Sequence, residues 1–218
     1  MEDRRTIAAT ALREALVDEL VEAGTVRSPA VEAALRAVPR ERFVPDLDVV
    51  RVYDDRAQLV KEEEGTTLST ISQPTMIAIM LELAALAPGD HVLEIGAGTG
   101  YNAALLGTIV GPEGSVVSID VEEDLVRAAV GVLAEVGPHN VEVHTADGRD
   151  GWPEGAPYDC VMATVGVPSV PPAWREQVRD GGRLLAPLLG AQTLRVERRR
   201  DDGWETEATS PAAFIPLR

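Results

Sequence analysis

The sequence predicts an α/β protein: a mostly parallel, seven-stranded sheet covered by helices on both faces, with an N-terminal helical cap. Three observations carry the prediction. From His91 onward, apolar runs of strand length alternate with helical segments, the rhythm of a parallel sheet. A glycine-rich turn, Gly96 to Gly100, separates the first of these strands from its helix. The composition, 45% hydrophobic and 26% charged over 218 residues, is that of a soluble globular chain long enough to bury one large core.

Arg4 to Ala23 reads as a helix, with Ile7, Ala11, Leu12, Ala15, Leu16, Glu19 and Leu20 at the spacing of one face, and Gly24 ends it. Ser28 as N-cap and Pro29 at the first position start a second helix, which stops before Pro39. Arg40 to Lys61 reads as irregular and charged. Ser72-Gln73-Pro74 starts a helix that runs to about Leu86, and Pro88-Gly89-Asp90 closes it. Strands follow at His91–Ile95, Ser115–Ile119, Val141–Thr145, Tyr158–Thr164 and Gly182–Pro187, with helices at Tyr101–Ile109, Glu122–Val136 and Pro172–Val178. Gln192–Arg199 and Trp204–Thr209 alternate as a terminal antiparallel hairpin around Asp201-Asp202-Gly203. Taken together the order is Rossmann-like, with residues 1–70 packed as helices and a loop on a core of residues 71–218, one compact unit.

Charge and composition exclude several functions. The net charge of −16, from 36 acidic and 20 basic residues, repels a phosphate backbone and argues against nucleic acid as a partner. No apolar run reaches the length of a membrane span, and the start Met1-Glu2-Asp3-Arg4-Arg5 does not read as a signal peptide. Cys160 is the single cysteine, which excludes an internal disulfide; it falls in an apolar strand and is expected in the core. No Cys/His cluster offers a metal site. Lys61 is the only lysine among the basic residues, a bias expected of a GC-rich genome.

The turn reads Glu94-Ile95-Gly96-Ala97-Gly98-Thr99-Gly100-Tyr101. Alternate glycines let a ligand approach the backbone, and the helix that follows presents N-terminal amides. A dinucleotide fingerprint requires glycine at the sixth position from Gly96, where Tyr101 stands, so that template fails. The acidic-x-Gly-x-Gly-x-Gly pattern instead resembles the first motif of class I S-adenosylmethionine-dependent methyltransferases. The resemblance implies a cofactor site at Glu94, Gly96, Gly98 and Gly100, with the turn amides facing the methionine part. Asp120, at the end of the next strand, then accepts both ribose hydroxyls, with Val121 beside it. Asp147-Gly148, after the third strand, stands where such enzymes hold the adenine.

The acceptor side carries a second resemblance. Val38-Pro39-Arg40-Glu41-Arg42-Phe43-Val44-Pro45, Tyr53-Asp54-Asp55, Thr70-Ile71-Ser72-Gln73-Pro74 and the closing Phe214-Ile215-Pro216-Leu217 are similar to segments of the protein-L-isoaspartate O-methyltransferases. So is Gly151-Trp152-Pro153-Glu154-Gly155-Ala156-Pro157-Tyr158-Asp159. The resemblance implies methyl transfer to a carboxylate within a peptide or protein bearing an aspartyl or isoaspartyl residue. It implies Ser72 and Thr70 at the catalytic position and Asp55, Ser69, Ile71, Thr164, Val165 and Gly166 as the substrate-binding set. A carboxylate is ionised near neutral pH, so no general base and no metal are expected. His91, His139 and His144 are expected to be structural.

One segment departs from the family pattern. Leu59-Val60 replaces Pro-Ile, Ser69 replaces Gln, and Lys61 to Leu68 lengthens the loop; Thr164-Val165-Gly166-Val167 replaces Thr-Ala-Ala-Ala. These changes resemble a branch found with ribosomal peptide natural products (lanthipeptides, lasso peptides, graspetides). Its members methylate a normal aspartate, whose ester collapses to an aspartimide. That acceptor is the first expectation. Loop drift in a repair enzyme acting on isoaspartyl damage is the second. A non-catalytic binding module is the third, and it would need a blocked cofactor turn, which the sequence does not show. Glu62, Glu63 and Glu64 could meet a basic substrate face or simply be solvated. A cytoplasmic monomer is expected.

Overall fold

The N-terminal cap and one face of the sheet share an apolar core. In this computed structural model residues 4–201 and 203–218 are described. The charged start Met1–Asp3 and the middle of the Asp201-Asp202-Gly203 turn lie outside the described residues. The chain opens with α1 (Arg4–Glu22), α2 (Pro29–Ala37) and the single turn α3 (Val49–Val52). It continues through β1 (Gln58–Glu63), β2 (Thr66–Ile71) and α4 (Pro74–Ala84). Then come β3 (His91–Ile95), α5 (Tyr101–Val110), β4 (Ser115–Asp120), α6 (Glu123–Val136), β5 (Val141–Thr145) and β6 (Tyr158–Ala163). The chain ends with α7 (Pro172–Gln177), β7 (Val178–Leu188), β8 (Thr193–Arg200) and β9 (Gly203–Pro211).

Seven strands form one sheet in the order β5-β4-β3-β6-β7-β8-β9, parallel through β7 and antiparallel over the last two pairs. The central strands read as continuous apolar runs because both faces are covered. Their period-2 alternation divides the core. Val92, Val116, Cys160, Met162 and Leu185 join the layer formed by α1, α2, α4 and α5. Leu93, Ile95, Ile119, Val161 and Leu184 join Trp174 on the opposite face. Cys160 is 1% exposed, and burial pushes its thiol up to about 12. The outer strands β5 and β9 carry only half-buried and exposed residues. Strand order reverses at β3, so the carboxyl ends of β3, β4 and β6 border one crevice. No helix among the described residues is long and apolar enough to cross a membrane.

Four local expectations change. The buried stripe of α1 is Ala9, Leu16, Val17 and Leu20, while Ile7 is 55% exposed. An alanine-rich helix has more than one apolar stripe, and packing chooses between them. The Ser28 hydroxyl makes no side-chain cap on α2. It donates to Glu82 of α4 (2.8 Å), as do the backbone N–H groups of Arg27 (2.9 Å) and Ser28 (2.8 Å). The segment from Leu59 to Ser72 is not an irregular loop: β1 and β2 form an antiparallel hairpin that is a two-stranded sheet of its own. Its turn, Glu64-Gly65, has φ of 50° and 78°, the left-handed pair of a tight hairpin turn that glycine favours. Finally, Gln73 and not Ser72 occupies the N-cap of α4.

Glu82 ties α4 to the start of α2 through three donors, and these hydrogen bonds outweigh its burial and hold its carboxyl below the ordinary 4.5. Glu82→Ala is expected to cost about 1–2 kcal/mol in denaturant unfolding at neutral pH. The stabilising contribution of the carboxylate is complete above 4.5 and is lost as pH falls through the lower folded value, so the difference between the two proteins narrows in acid.

Candidate functional site

The three glycines of the turn after β3 all have left-handed φ: 100° at Gly96, 50° at Gly98 and 84° at Gly100. At Gly96 a Cβ would sit 2.5 Å from Thr164 Oγ1 and 2.9 Å from Val165 Cγ1, so only glycine lets β3 and β6 end this close together. The turn is wired to the end of β4. Gly96 N and Ala97 N donate to Ile119 O (2.8 and 3.0 Å), Gly98 N donates to Asp120 Oδ2 (2.8 Å), and Gly100 N donates to Ala97 O (2.8 Å). These amides are therefore taken up within the protein, contrary to the expectation that they face a ligand. The glycines permit close approach and shape instead.

Above the turn lies a cavity of about 550 Å³, within the range of small-molecule sites. One wall carries Glu94, Gly96, Gly98, Asp120, Val121 and Gly148; the other carries Ser69, Thr70, Ile71 and Ser72; Thr164 and Val165 close the base. Asp120 keeps acceptor capacity on both oxygens, because each takes one backbone N–H: Gly98 N on Oδ2 and Glu122 N on Oδ1 (3.1 Å). Glu94 is fully buried at the wall and accepts from Ser118 Oγ and from Asn102 Nδ2 (2.7 Å). Burial raises its carboxyl to about 7, against these two hydrogen bonds and with a further push from Asp120.

The strand Ser69–Ser72 is held from behind by Arg40, which is 1% exposed. Its Nη2 donates to Ser72 O (2.7 Å) and its Nε to Val52 O (2.9 Å), while the guanidinium lies over the Tyr101 ring at 5.0 Å. The first residue of that wall, Ser69, is itself buried, facing Gly98.

Four expected site residues do not line the cavity. Asp55 faces α4, where it accepts from Thr75 N and Oγ1 (both 2.8 Å) and Gln73 Nε2 (2.9 Å). Gly100 packs under α6, a Cβ there meeting Ala129 Cβ at 3.0 Å. Asp147 turns outward to Arg149, whose hydrogen bonds hold its carboxyl below the usual range. Gly166 anchors the C-terminal tail: its N–H donates to Ile215 O (2.7 Å) and its carbonyl accepts from Leu217 N (2.8 Å). In each case a helix start, a packed backbone or a neighbouring segment claims the group first.

The tail from Ala213 to Arg218 is the part of the wall that sequence reasoning missed, although its Phe-Ile-Pro-Leu motif was a signal for it. Gly148 is glycine because Leu217 crosses it; a Cβ would stand 2.8 Å from Leu217 Cδ1 and 2.8 Å from Ile95 Cγ2. Thr99 and Asn102, beside the glycines, also line the cavity, and none of the three histidines does. Among the described residues no cluster of His, Cys, Asp or Glu could hold a metal ion.

Residues 11–218 match the family model described as protein-L-isoaspartate(D-aspartate) O-methyltransferase. A protein-L-isoaspartate O-methyltransferase of Roseiflexus sp. (strain RS-1) is 40% identical over 207 residues, covering 94% of this chain and 91% of the relative. One from Methanothermobacter thermautotrophicus is 35% identical over 209 residues, covering 94% of each. A solved protein-L-isoaspartate O-methyltransferase superposes with a TM-score of 0.83 at 32% identity, covering 94% of this chain and 66% of that longer one. The Plasmodium falciparum beta-aspartate methyltransferase, in complex with S-adenosyl-L-homocysteine, shares the fold at a TM-score of 0.79 and 18% identity, covering 94% of this chain and 98% of that one.

Glu94 gives the site a pH signature. Between its ordinary 4.5 and its folded value of about 7, the folded protein holds a proton that the unfolded chain has released. Stability of the protein without ligand therefore falls as pH rises through that window. Glu94→Gln keeps the shape and does not titrate. It is expected to be the more stable protein above pH 7, by on the order of 3 kcal/mol, with the gap closing in acid. Urea unfolding of both proteins at acid and alkaline pH measures this.

Proposed function

This chain belongs to the protein-L-isoaspartate O-methyltransferase family of S-adenosylmethionine-dependent enzymes, and we propose that it methylates the free carboxylate of an L-isoaspartyl residue in damaged polypeptides. The observation that carries the reading is one continuous cavity with Asp120 and Glu94 on one wall and the Ser69–Ser72 strand on the other. Relatives matched over almost their whole length support isoaspartate as the acceptor more than the normal aspartate of a ribosomal peptide.

When bound, S-adenosylmethionine supplies an electrophilic methyl group on a sulfonium sulfur. Asp120 would accept hydrogen bonds from the ribose diol, and Glu94, near its titration midpoint at neutral pH, would face the cationic end. Ser72, with its carbonyl fixed by Arg40, would donate to the acceptor carboxylate and orient it, with Thr70 two residues back along the chain. The carboxylate oxygen forms the new bond to the methyl carbon as the sulfur–carbon bond breaks, and no proton moves. The acceptor is already anionic, so position and exclusion of water carry the rate. The ester is then open to attack by the following backbone amide nitrogen, which releases methanol and closes a succinimide. The reading carries with it a cytoplasmic monomer.

A second reading, the normal aspartate of a constrained ribosomal peptide, is favoured by the hairpin. Its tip exposes Glu62, Glu63 and Glu64, and its free length offers contacts to a preorganised ring.

Asp120→Ala is expected to weaken cofactor binding by about 2–3 kcal/mol, roughly 30–150-fold, in calorimetry. Ser72→Ala is expected to lower turnover by roughly 10–100-fold with cofactor affinity near normal. Labelled cofactor separates the acceptors. The expected outcome is transfer to a generic isoaspartyl peptide and none to its aspartyl counterpart; transfer to a cyclised aspartyl precursor alone would select the second reading.

A further inference from the structure

Two basic side chains from distant parts of the chain meet on one carboxylate beside the cavity. Glu122 stands two residues beyond Asp120, and its backbone N–H donates to Asp120 Oδ1 (3.1 Å). Its Oε2 accepts from Lys61 Nζ on β1 (2.5 Å) and its Oε1 from Arg218 Nη1 of the C-terminal tail (2.9 Å). Lys61 Nζ also donates to Asp124 Oδ1 and Oδ2 (2.7 and 2.8 Å). Arg218 Nη2 donates to Leu68 O on β2 (3.3 Å). Because β1 and β2 are paired with each other, these contacts close a ring through the hairpin, the end of β4 and the tail. Leu68, Asp120, Val121 and Arg218 line the cavity, so the ring borders it on the Asp120 side.

The Lys61–Glu122 pair is less exposed than the pair beside it on α6 and about as buried as Arg183–Glu207. The Lys61 and Glu122 side chains are 25% and 20% exposed, against 73% and 76% for Arg127 and Glu123 one turn along. Among the described residues the hairpin is a two-stranded sheet apart from the main one, so side-chain contacts such as these, together with the buried Leu68 and Ile71, seat it. The Lys61 hydrogen bond also holds the Glu122 carboxyl below the usual range. The only lysine of the chain, which composition alone reads as a genomic bias, thus has a structural partner.

We propose that Lys61, Glu122 and Arg218 are positioning residues that clasp the acceptor hairpin and the tail over the cofactor end of the cavity. Release of S-adenosylhomocysteine then requires the clasp to open. The inference rests on the reading that the Asp120 end of the cavity holds S-adenosylmethionine. Each pair is weak and partly exposed, and salt screens it, so the clasp sets a rate by a few-fold and does not lock the site.

The test is dissociation of labelled S-adenosylhomocysteine from the full chain at about 0.05 M and about 1 M NaCl. The unmodified protein is expected to release it about 3–10-fold faster at high salt. Glu122→Gln and Lys61→Met are expected to show faster release already at low salt and a reduced salt response, since the first leaves Lys61 on Asp124 and the second leaves Arg218 on Glu122. The double variant should be faster than either single variant but by less than the product of their effects, because the Lys61–Glu122 contact is shared while Lys61 also holds Asp124 and Glu122 also holds Arg218. Arg127→Gln, which removes a neighbouring exposed pair, should behave as the unmodified protein. Variants that bind normally and keep the original rate and salt response overturn the clasp. So does faster release that retains the full salt response, the mark of general loosening. Failure of the unmodified protein to bind S-adenosylhomocysteine overturns the cofactor reading and the clasp with it.

Discussion

The end of β4 is the point from which the site is built. Ile119 takes the amides of Gly96 and Ala97, and Asp120 takes the amide of Gly98. Thr164 Oγ1 donates to Gly96 O (2.6 Å), which ties the end of β6 to the same turn. Three parallel strands are thereby joined at their carboxyl ends before any side chain meets a ligand. Each bond contributes only about 1 kcal/mol net, but leaving one of these groups unpaired costs more, so the turn has little freedom. Gly96 is a consequence: no other residue both adopts its left-handed angle and leaves room for Thr164 and Val165.

The acceptor wall is held by the opposite strategy. There a buried cation, Arg40, reaches from the N-terminal cap to the carbonyl of Ser72, and Asp55 fixes the start of α4 just beyond it. The cap is therefore part of the site although it contributes few side chains to the cavity. A carboxylate acceptor needs no base, so the protein is asked for placement and dryness more than for proton transfer. That requirement matches a cavity walled largely by backbone, hydroxyls and apolar groups, with Glu94 and Asp120 as its acidic residues.

The site shows the limits of motif reasoning residue by residue. Asp120, Gly96, Ser72 and Thr164 line the cavity, and each sits at a strand end, which is legible from periodicity. Asp55, Gly100, Asp147 and Gly166 belong to the same motifs and serve construction. A motif marks residues that a fold needs together, and it does not separate those that face the ligand from those that brace them. The hairpin escaped because short strands with exposed charged residues lack the alternation that a half-buried strand shows.

The sequence by itself determined the strands of the main sheet, the helices between them and the glycine turn. These are properties of apolar period, turn residues and local capping, all written within short stretches of chain. Only the tertiary structure decided which face of α1 is buried, that the tail crosses Gly148, and that Lys61 and Arg218 share Glu122. The bond from Arg218 to Leu68 joins residues 150 apart. No local pattern encodes such a pairing, because it depends on where the folded core brings two exposed segments, and charge attracts any opposite charge that arrives within reach.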